Sequence, residues 1–182
     1  MRRSRIYTPQ ALLLEGSAEL QGPAGHYLTR VLRLTVGDTL TLFNGDGKDY
    51  LAEICQIERQ KVMLRVTGSE DPDNESPLKI TLVQAISRGE RMDYSLQKAT
   101  EMGVFCIQPV TSARVEVRLD NKRQLKRLAH WQGVVISACE QSGRARVPEV
   151  KTPISLTEWT AETTPAACLV LDPMATQKMS EV

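Results

Sequence analysis

Glu140-Gln141-Ser142-Gly143-Arg144 sets a carboxylate, an amide and a guanidinium side by side after a long helical stretch. Arginine stays protonated, so Arg144 is no base; it can hold a substrate or stabilise negative charge growing on an oxygen. Glu140 could accept a proton if it points inward, and Gln141 completes the candidate catalytic set. The same residues also read structurally: Gly143 ends the helix, and a cation beside that end suits the dipole. Arg88, Arg91 and Arg114 each follow a strand candidate. A planar guanidinium there can grip two phosphate oxygens, or simply be solvated. Lys98 and Glu101 sit three apart on one helix, which reads as a surface pair.

Net charge is +1, but it averages an uneven distribution. Residues 1–72 balance, residues 73–150 carry an excess of base, and residues 151–182 an excess of acid. Arg2, Arg3 and Arg5 cluster at the start, and six basic side chains lie between Arg114 and Arg127. Such clusters suit phosphate contact, because cations displace condensed counterions, although mixed-sign solvated faces look the same. Aromatic residues are 4% of the chain and few sit among the basic ones, so no base-stacking platform is indicated.

Several chemistries lack their residues. Cysteines stand at 55, 106, 139 and 168, with no Cys-x-x-Cys, and His26 and His130 are the only histidines. Zinc spacing is therefore absent, and the thiols read as reduced and buried. No Walker loop or Gly-x-Gly-x-x-Gly occurs. The longest apolar run, Ala166 to Leu171, cannot span a bilayer, and Ala11 to Leu14 is too short for a signal-peptide core, so the expected location is cytoplasmic. His26 reads as a core or interface histidine, and Trp131 as core or dimer interface.

The elements that must position these groups fall into two units. Up to residue 72 the pattern is β: Thr39 to Phe43, then the turn Asn44-Gly45-Asp46-Gly47, then alternation at Tyr50, Ala52, Ile54 and at Val62, Leu64, Val66. One short helix is expected over 26–34, with Leu28, Val31 and Leu32 on one face. Short strands, tight turns and one helix predict a small barrel. Asp71 to Pro77 reads as a linker. Residues 73–182 alternate strand and helix: a strand over 78–85, a helix carrying Met92, Leu96 and Ala99 with Gly103 at C′, and a buried strand over 104–107. A long helix follows, capped by Asp120 or Asn121, with a stripe of Leu125, Leu128, Trp131, Val135, Ala138 and Cys139. Next come a capping box Ser155-Leu156-Thr157-Glu158 and a buried strand over 166–171. This order implies a parallel sheet with ligands beyond the strands' carboxyl ends, at loops 87–91, 111–116 and 172–175.

Gln84-Ala85-Ile86-Ser87-Arg88-Gly89-Glu90-Arg91-Met92, Gln97-Lys98-Ala99-Thr100-Glu101-Met102-Gly103, Ala138-Cys139-Glu140-Gln141-Ser142-Gly143-Arg144 and His26-Tyr27-Leu28-Thr29-Arg30-Val31-Leu32-Arg33 together resemble the RsmE family. The resemblance implies a PUA-like β-barrel over 1–72 that docks RNA, and a SPOUT α/β domain over 73–182 with a knot. It implies methylation of N3 of a uridine in 16S ribosomal RNA from S-adenosylmethionine, by a homodimer. In that frame Arg144, Glu140 and Gln141 are catalytic, and Arg144→Ala is expected to lower turnover more than RNA affinity. Leu171, Asp172 and Pro173 line the cofactor, and Arg2, Arg3, Arg5, Arg30, Arg33, Arg88, Arg91 and Arg114 meet RNA. The family's Gly-Pro-Glu-Gly-Gly-type loop and Leu-Arg-x-Glu-Thr segment do not occur up to Val182. The expectation is therefore a fragment whose knot segment is missing, whose S-adenosylmethionine pocket is incomplete and whose donor binding is weak. The alternative is a non-catalytic RNA- or ribosome-binding protein.

Overall fold

The computed structural model describes residues 3–59, 61–112, 121–162, 167–172, 174 and 176, without the side chains of 121 and 122. Arg2, Arg114, Pro173, the candidate cap Asp120 and the side chain of Asn121 lie outside what it describes.

The N-terminal unit is one curled five-stranded sheet in the order β1-β3-β4-β5-β2. Its strands are β1 (Arg5–Tyr7), β2 (Ser17–Leu20), β3 (Thr39–Phe43), β4 (Asp49–Glu58) and β5 (Lys61–Glu70). The long β4–β5 hairpin breaks register between Leu51 and Ala52 and between Ile54 and Gln56. Bulges of this kind bend and twist a ladder, which lets the sheet curl into a half-barrel. Ala52, Ile54, Val62, Leu64 and Val66 fill its inner face with Leu40 and Leu42, as their alternation requires.

Helix α1 (Gly22–His26) runs on into a π-helical turn, Tyr27–Val31, in which Leu32 N–H donates to Tyr27 O at 3.0 Å. The wider turn changes which residues face inward. Leu28 is fully buried and Leu32 packs against the core, but Val31 is exposed, which corrects the face expected from a regular helical period.

In the second unit β6 (Thr81–Ala85), β7 (Cys106–Thr111) and β8 (Glu149–Val150) form a parallel sheet, and β9 (Ile154–Ser155) also pairs with β7. Helices α2 (Glu90–Glu101) and α3 (Asn121–Ser142) pack together, and α4 (Leu156–Glu162) follows β9. Met92, Leu96, Val104, Ile107, Trp131, Val135 and Val150 share the core. Gly103 has φ +92 beyond the end of α2, the left-handed C′ position that favours glycine. The capping box holds: Ser155 N–H donates to Glu158 Oε2 at 2.8 Å, and Glu158 N–H to Ser155 Oγ at 3.1 Å. Leu125 departs from the expected apolar stripe of α3 and is exposed.

Three expectations change. The first strand begins at Thr81, leaving Leu78 and Ile80 exposed. The second starts at Cys106, so Phe105 stays half exposed beneath the Lys79 ammonium. The apolar run ending at Leu171 forms no strand over 167–171, and Leu169, Val170 and Leu171 face solvent. In the order β6-β7-β8 the outer edge of β6 has no partner strand among the described residues, so 167–171 make no ladder bonds and their side chains stay uncovered. Cys106 and Cys139 are buried, whereas Cys55 and Cys168 are exposed. Burial pushes the Cys139 thiol up to about 12. Among the described residues no helix is long and apolar enough to cross a membrane, and no group of ligands could hold a metal ion.

Candidate active site and the seam that supports it

Parallel strands put their carboxyl ends together, so Ile86 to Arg91 and the end of β7 at Thr111 lie at one end of the sheet. Arg91 is exposed there, and Arg88 is exposed with its interactions made. Gly89 adopts φ +55 at the N-cap of α2, a backbone state that turns the chain sharply from loop to helix.

Glu140 and Arg144 lie at the opposite end. Helix α3 runs back along the sheet and delivers them to the strands' amino ends. Arg144 is buried, and its guanidinium is committed to protein partners. Nε and Nη2 fork onto Glu75 at 3.0 and 2.5 Å, and Nη1 donates to Thr100 O and Val104 O, both at 2.9 Å. Four of its five N–H groups are thereby used. One side chain ties the linker, the end of α2 and the entry to β7 together. Gln141 is exposed on α3 and engaged in interactions of its own.

The seam continues into the barrel. Arg5 pairs with Asp49, donates from Nη2 to Arg144 O at 3.2 Å, and lies 5.0 Å from the Phe43 ring centre. Its side chain is 10% exposed, which corrects its grouping with exposed Arg3 as one phosphate-facing patch. Tyr7 N–H donates to Glu140 Oε1 at 3.0 Å, and Asn74 Nδ2 donates to Gly143 O at 2.9 Å. The segment Asp71–Pro77 is therefore pinned at Asn74 and Glu75. In the 44–48 turn Gly47, at φ +100, lets the Arg146 guanidinium approach to where a Cβ would be 2.8 Å away. Glu75 and Asp49 escaped the sequence reading because no local spacing relates residues 69 and 44 positions apart.

Burial pushes the Glu140 carboxyl up, against the opposing pull of the Tyr7 N–H and Arg5. A carboxyl raised on folding binds its proton more tightly in the native state. Wild-type stability therefore falls as pH rises from the ordinary carboxylate range through the raised value. Glu140→Gln keeps an oxygen for Tyr7 N–H and removes the charge. Its melting temperature relative to wild type is expected to improve from acidic to neutral pH; an unchanged difference would rule out this source of pH dependence.

The remaining candidates scatter. Arg30 and Arg33 are exposed on the barrel motif 26–33, and Arg33 has φ +55. His26 is exposed rather than a core histidine, whereas Trp131 is core. Lys98 and Glu101 form the expected surface pair at 2.7 Å, which lowers the carboxyl and raises the ammonium. Leu171 and Asp172 are exposed, and Asp172 Oδ1 accepts Met174 N–H at 2.9 Å. An apolar side chain beside a carboxylate suits an adenosine ring and its hydroxyls. The described residues supply only that one wall and enclose nothing around it.

The curled, bulged five-stranded sheet and the parallel α/β unit fastened to it are each matched by a family model, which makes the chain an RNA methyltransferase with a PUA domain. Family models agree on both parts: the RNA methyltransferase domain matches residues 74–182, and the RNA methyltransferase PUA domain matches residues 20–67. Ribosomal RNA small subunit methyltransferase E of Buchnera aphidicola subsp. Schizaphis graminum is 32% identical over 182 residues, which span 100% of this chain and 74% of that protein. The Bacillus subtilis enzyme of the same name is 29% identical over 131 residues, covering 72% of this chain and 51% of its own length. The structure of ribosomal RNA small subunit methyltransferase E from Neisseria gonorrhoeae, bound to S-adenosyl methionine, superposes with a TM-score of 0.92 at 40% identity, covering 100% of this chain and 75% of that one. A Legionella pneumophila methyltransferase structure with bound SAM gives 0.94 at 37%, with the same coverage. The chain belongs to the ribosomal RNA small subunit methyltransferase E family, and its two sheets are the PUA-like and SPOUT-like parts of that fold.

Proposed function

We propose that this chain serves the methylation of N3 of a uridine in 16S ribosomal RNA, with S-adenosylmethionine as donor. The carrying observation is the match along the whole chain to a same-family structure that holds S-adenosyl methionine. When bound, the donor supplies an electrophilic methyl group, and the N3 proton of the uridine must leave.

In this reading the division falls near residue 72, and the working end is the carboxyl end of the parallel sheet. Arg88 and Arg91 meet RNA there, and Leu171 and Asp172 contribute to the donor side; Arg114 and Pro173, outside the described residues, take the same two roles on the sequence alone. Arg3, Arg30 and Arg33 extend the RNA surface over the barrel, with Arg2. Glu140, Gln141 and Arg144 belong at the other end, where Glu140 and Arg144 act as positioning residues that fix the barrel against the methyltransferase unit. The protein works in the cytoplasm as a homodimer on the small ribosomal subunit.

The test joins the chain to the C-terminal segment of a longer relative, because the family's donor loop does not occur up to Val182, and incubates it with labelled S-adenosylmethionine and small subunits from cells lacking this modification, followed by nucleoside analysis of the RNA. Label in 3-methyluridine from 16S RNA is expected. Label on another base or on large-subunit RNA overturns the substrate assignment. RNA binding without any transfer favours a non-catalytic role.

A further inference from the structure

The barrel motif 22–36 breaks two local rules at once. Its helix widens into a π turn, a departure that recurs at functional sites, and its end places Arg33 at φ +55, where glycine is the usual choice. Leu34 N–H reaches back to Leu28 O at 3.0 Å around that residue, closing the helix end. The outcome is specific. Leu28 goes to the core, while Tyr27 and Val31 stay outside at 41% and 59% exposure.

Gly22, Pro23, His26, Tyr27 and Val31 line a shallow, open and mostly apolar concavity on this face. Between Leu20 and Gly37 the chain carries Arg30, Arg33 and His26 and no acidic residue. An apolar, aromatic hollow on the same short motif as exposed Arg30 and Arg33 complements a ligand with one flat apolar face and one anionic edge. An unpaired nucleotide has that form, and single-stranded RNA is read by stacking bases on aromatic rings beside cationic side chains.

We propose that this concavity seats one unpaired base of the RNA substrate, stacked on Tyr27, with adjoining phosphates held by Arg30 and Arg33. The site rests on the RNA reading above, and it adds a stacking contact where sequence composition indicated none.

The probe is a fluorescent single-stranded RNA copied from 16S sequence, titrated into the full chain at several salt concentrations. Tyr27→Ala is expected to weaken binding by about 5- to 150-fold, the range for loss of one base–aromatic stack, without changing the salt slope. Tyr27→Phe keeps the ring and the affinity. Arg30→Ala and Arg33→Ala each lower the slope by about 0.7. Unchanged affinity in a Tyr27→Ala protein with a normal melting temperature overturns the site. So does an equal loss on abasic RNA, or a Tyr27→Ala effect confined to self-association in sedimentation. If wild type methylates subunits while Tyr27→Ala binds RNA normally, only this site fails. If wild type neither binds nor methylates RNA, the functional reading fails with it.

Discussion

Replacing Arg144 with alanine is expected to lower the free energy of unfolding by about 3 kcal/mol, the scale for removing one partner of a buried, hydrogen-bonded ion pair. Three segments lose their shared contact together. Glu75, itself 26% exposed, keeps a charge with no partner, and the carbonyls of Thr100 and Val104 lose their donor. Arg144→Lys recovers little of this, because an ammonium cannot fork onto a carboxylate while also reaching two carbonyls. Denaturant titration of the full chain measures the effect, and a loss below about 1 kcal/mol, the range of exposed pairs, would contradict the description. Turnover separates this role from substrate contact. A positioning residue loses turnover in step with stability, whereas a lysine variant that stays folded, binds RNA and fails to turn over would touch the substrate.

Asp49→Ala is the second large effect, at about 3–5 kcal/mol, because it strands Arg5 in a site where its side chain is 10% exposed. The pair is imperfectly satisfied: Arg5 Nε and Asp49 Oδ1 are buried without hydrogen-bond partners. Two apolar residues of similar size avoid that cost. Arg5→Met with Asp49→Leu should therefore recover to within about 1 kcal/mol of wild type. Besides the ion pair itself, the double variant loses the contact with Arg144 O and the cation–π contact with Phe43. If it is as unstable as Asp49→Ala, the charges themselves, and not the unpaired remainder, hold the seam.

Both predictions concern residues whose partners lie far off in the chain, and the same distance limits what the sequence could reveal. Patterns of local origin were legible. Alternation placed Tyr50, Ala52 and Ile54 inside, helical spacing placed Met92 and Leu96 inside, and the Ser155–Glu158 box formed as written. Val31 was misjudged because the expected face assumed 3.6 residues per turn, and the π turn does not keep that period. Arg5 was misjudged because three arginines close together look like one surface, while a strand sends alternate side chains to opposite faces and tertiary partners decide which are covered. Arg144 was recognised as special from its motif, but its partner Glu75 sat inside an acidic, proline-flanked stretch that looked solvated. The candidate site was thus legible in its strand-end loops and hidden at its supporting end.

The seam also sets an order of events during synthesis. Arg5 and Asp49 leave the ribosome early, and the barrel can close around them, but Arg144 follows Arg5 by 139 residues. At translation speeds of about 5–20 residues per second, that is a wait of roughly 7–28 s. Within that interval Asp49 already meets Arg5, Glu75 waits 69 residues for Arg144, and Tyr7 N–H lacks its carboxylate. The N-terminal unit therefore spends its first seconds with an unfinished edge, and native docking of the two units comes only as the last turn of α3 emerges.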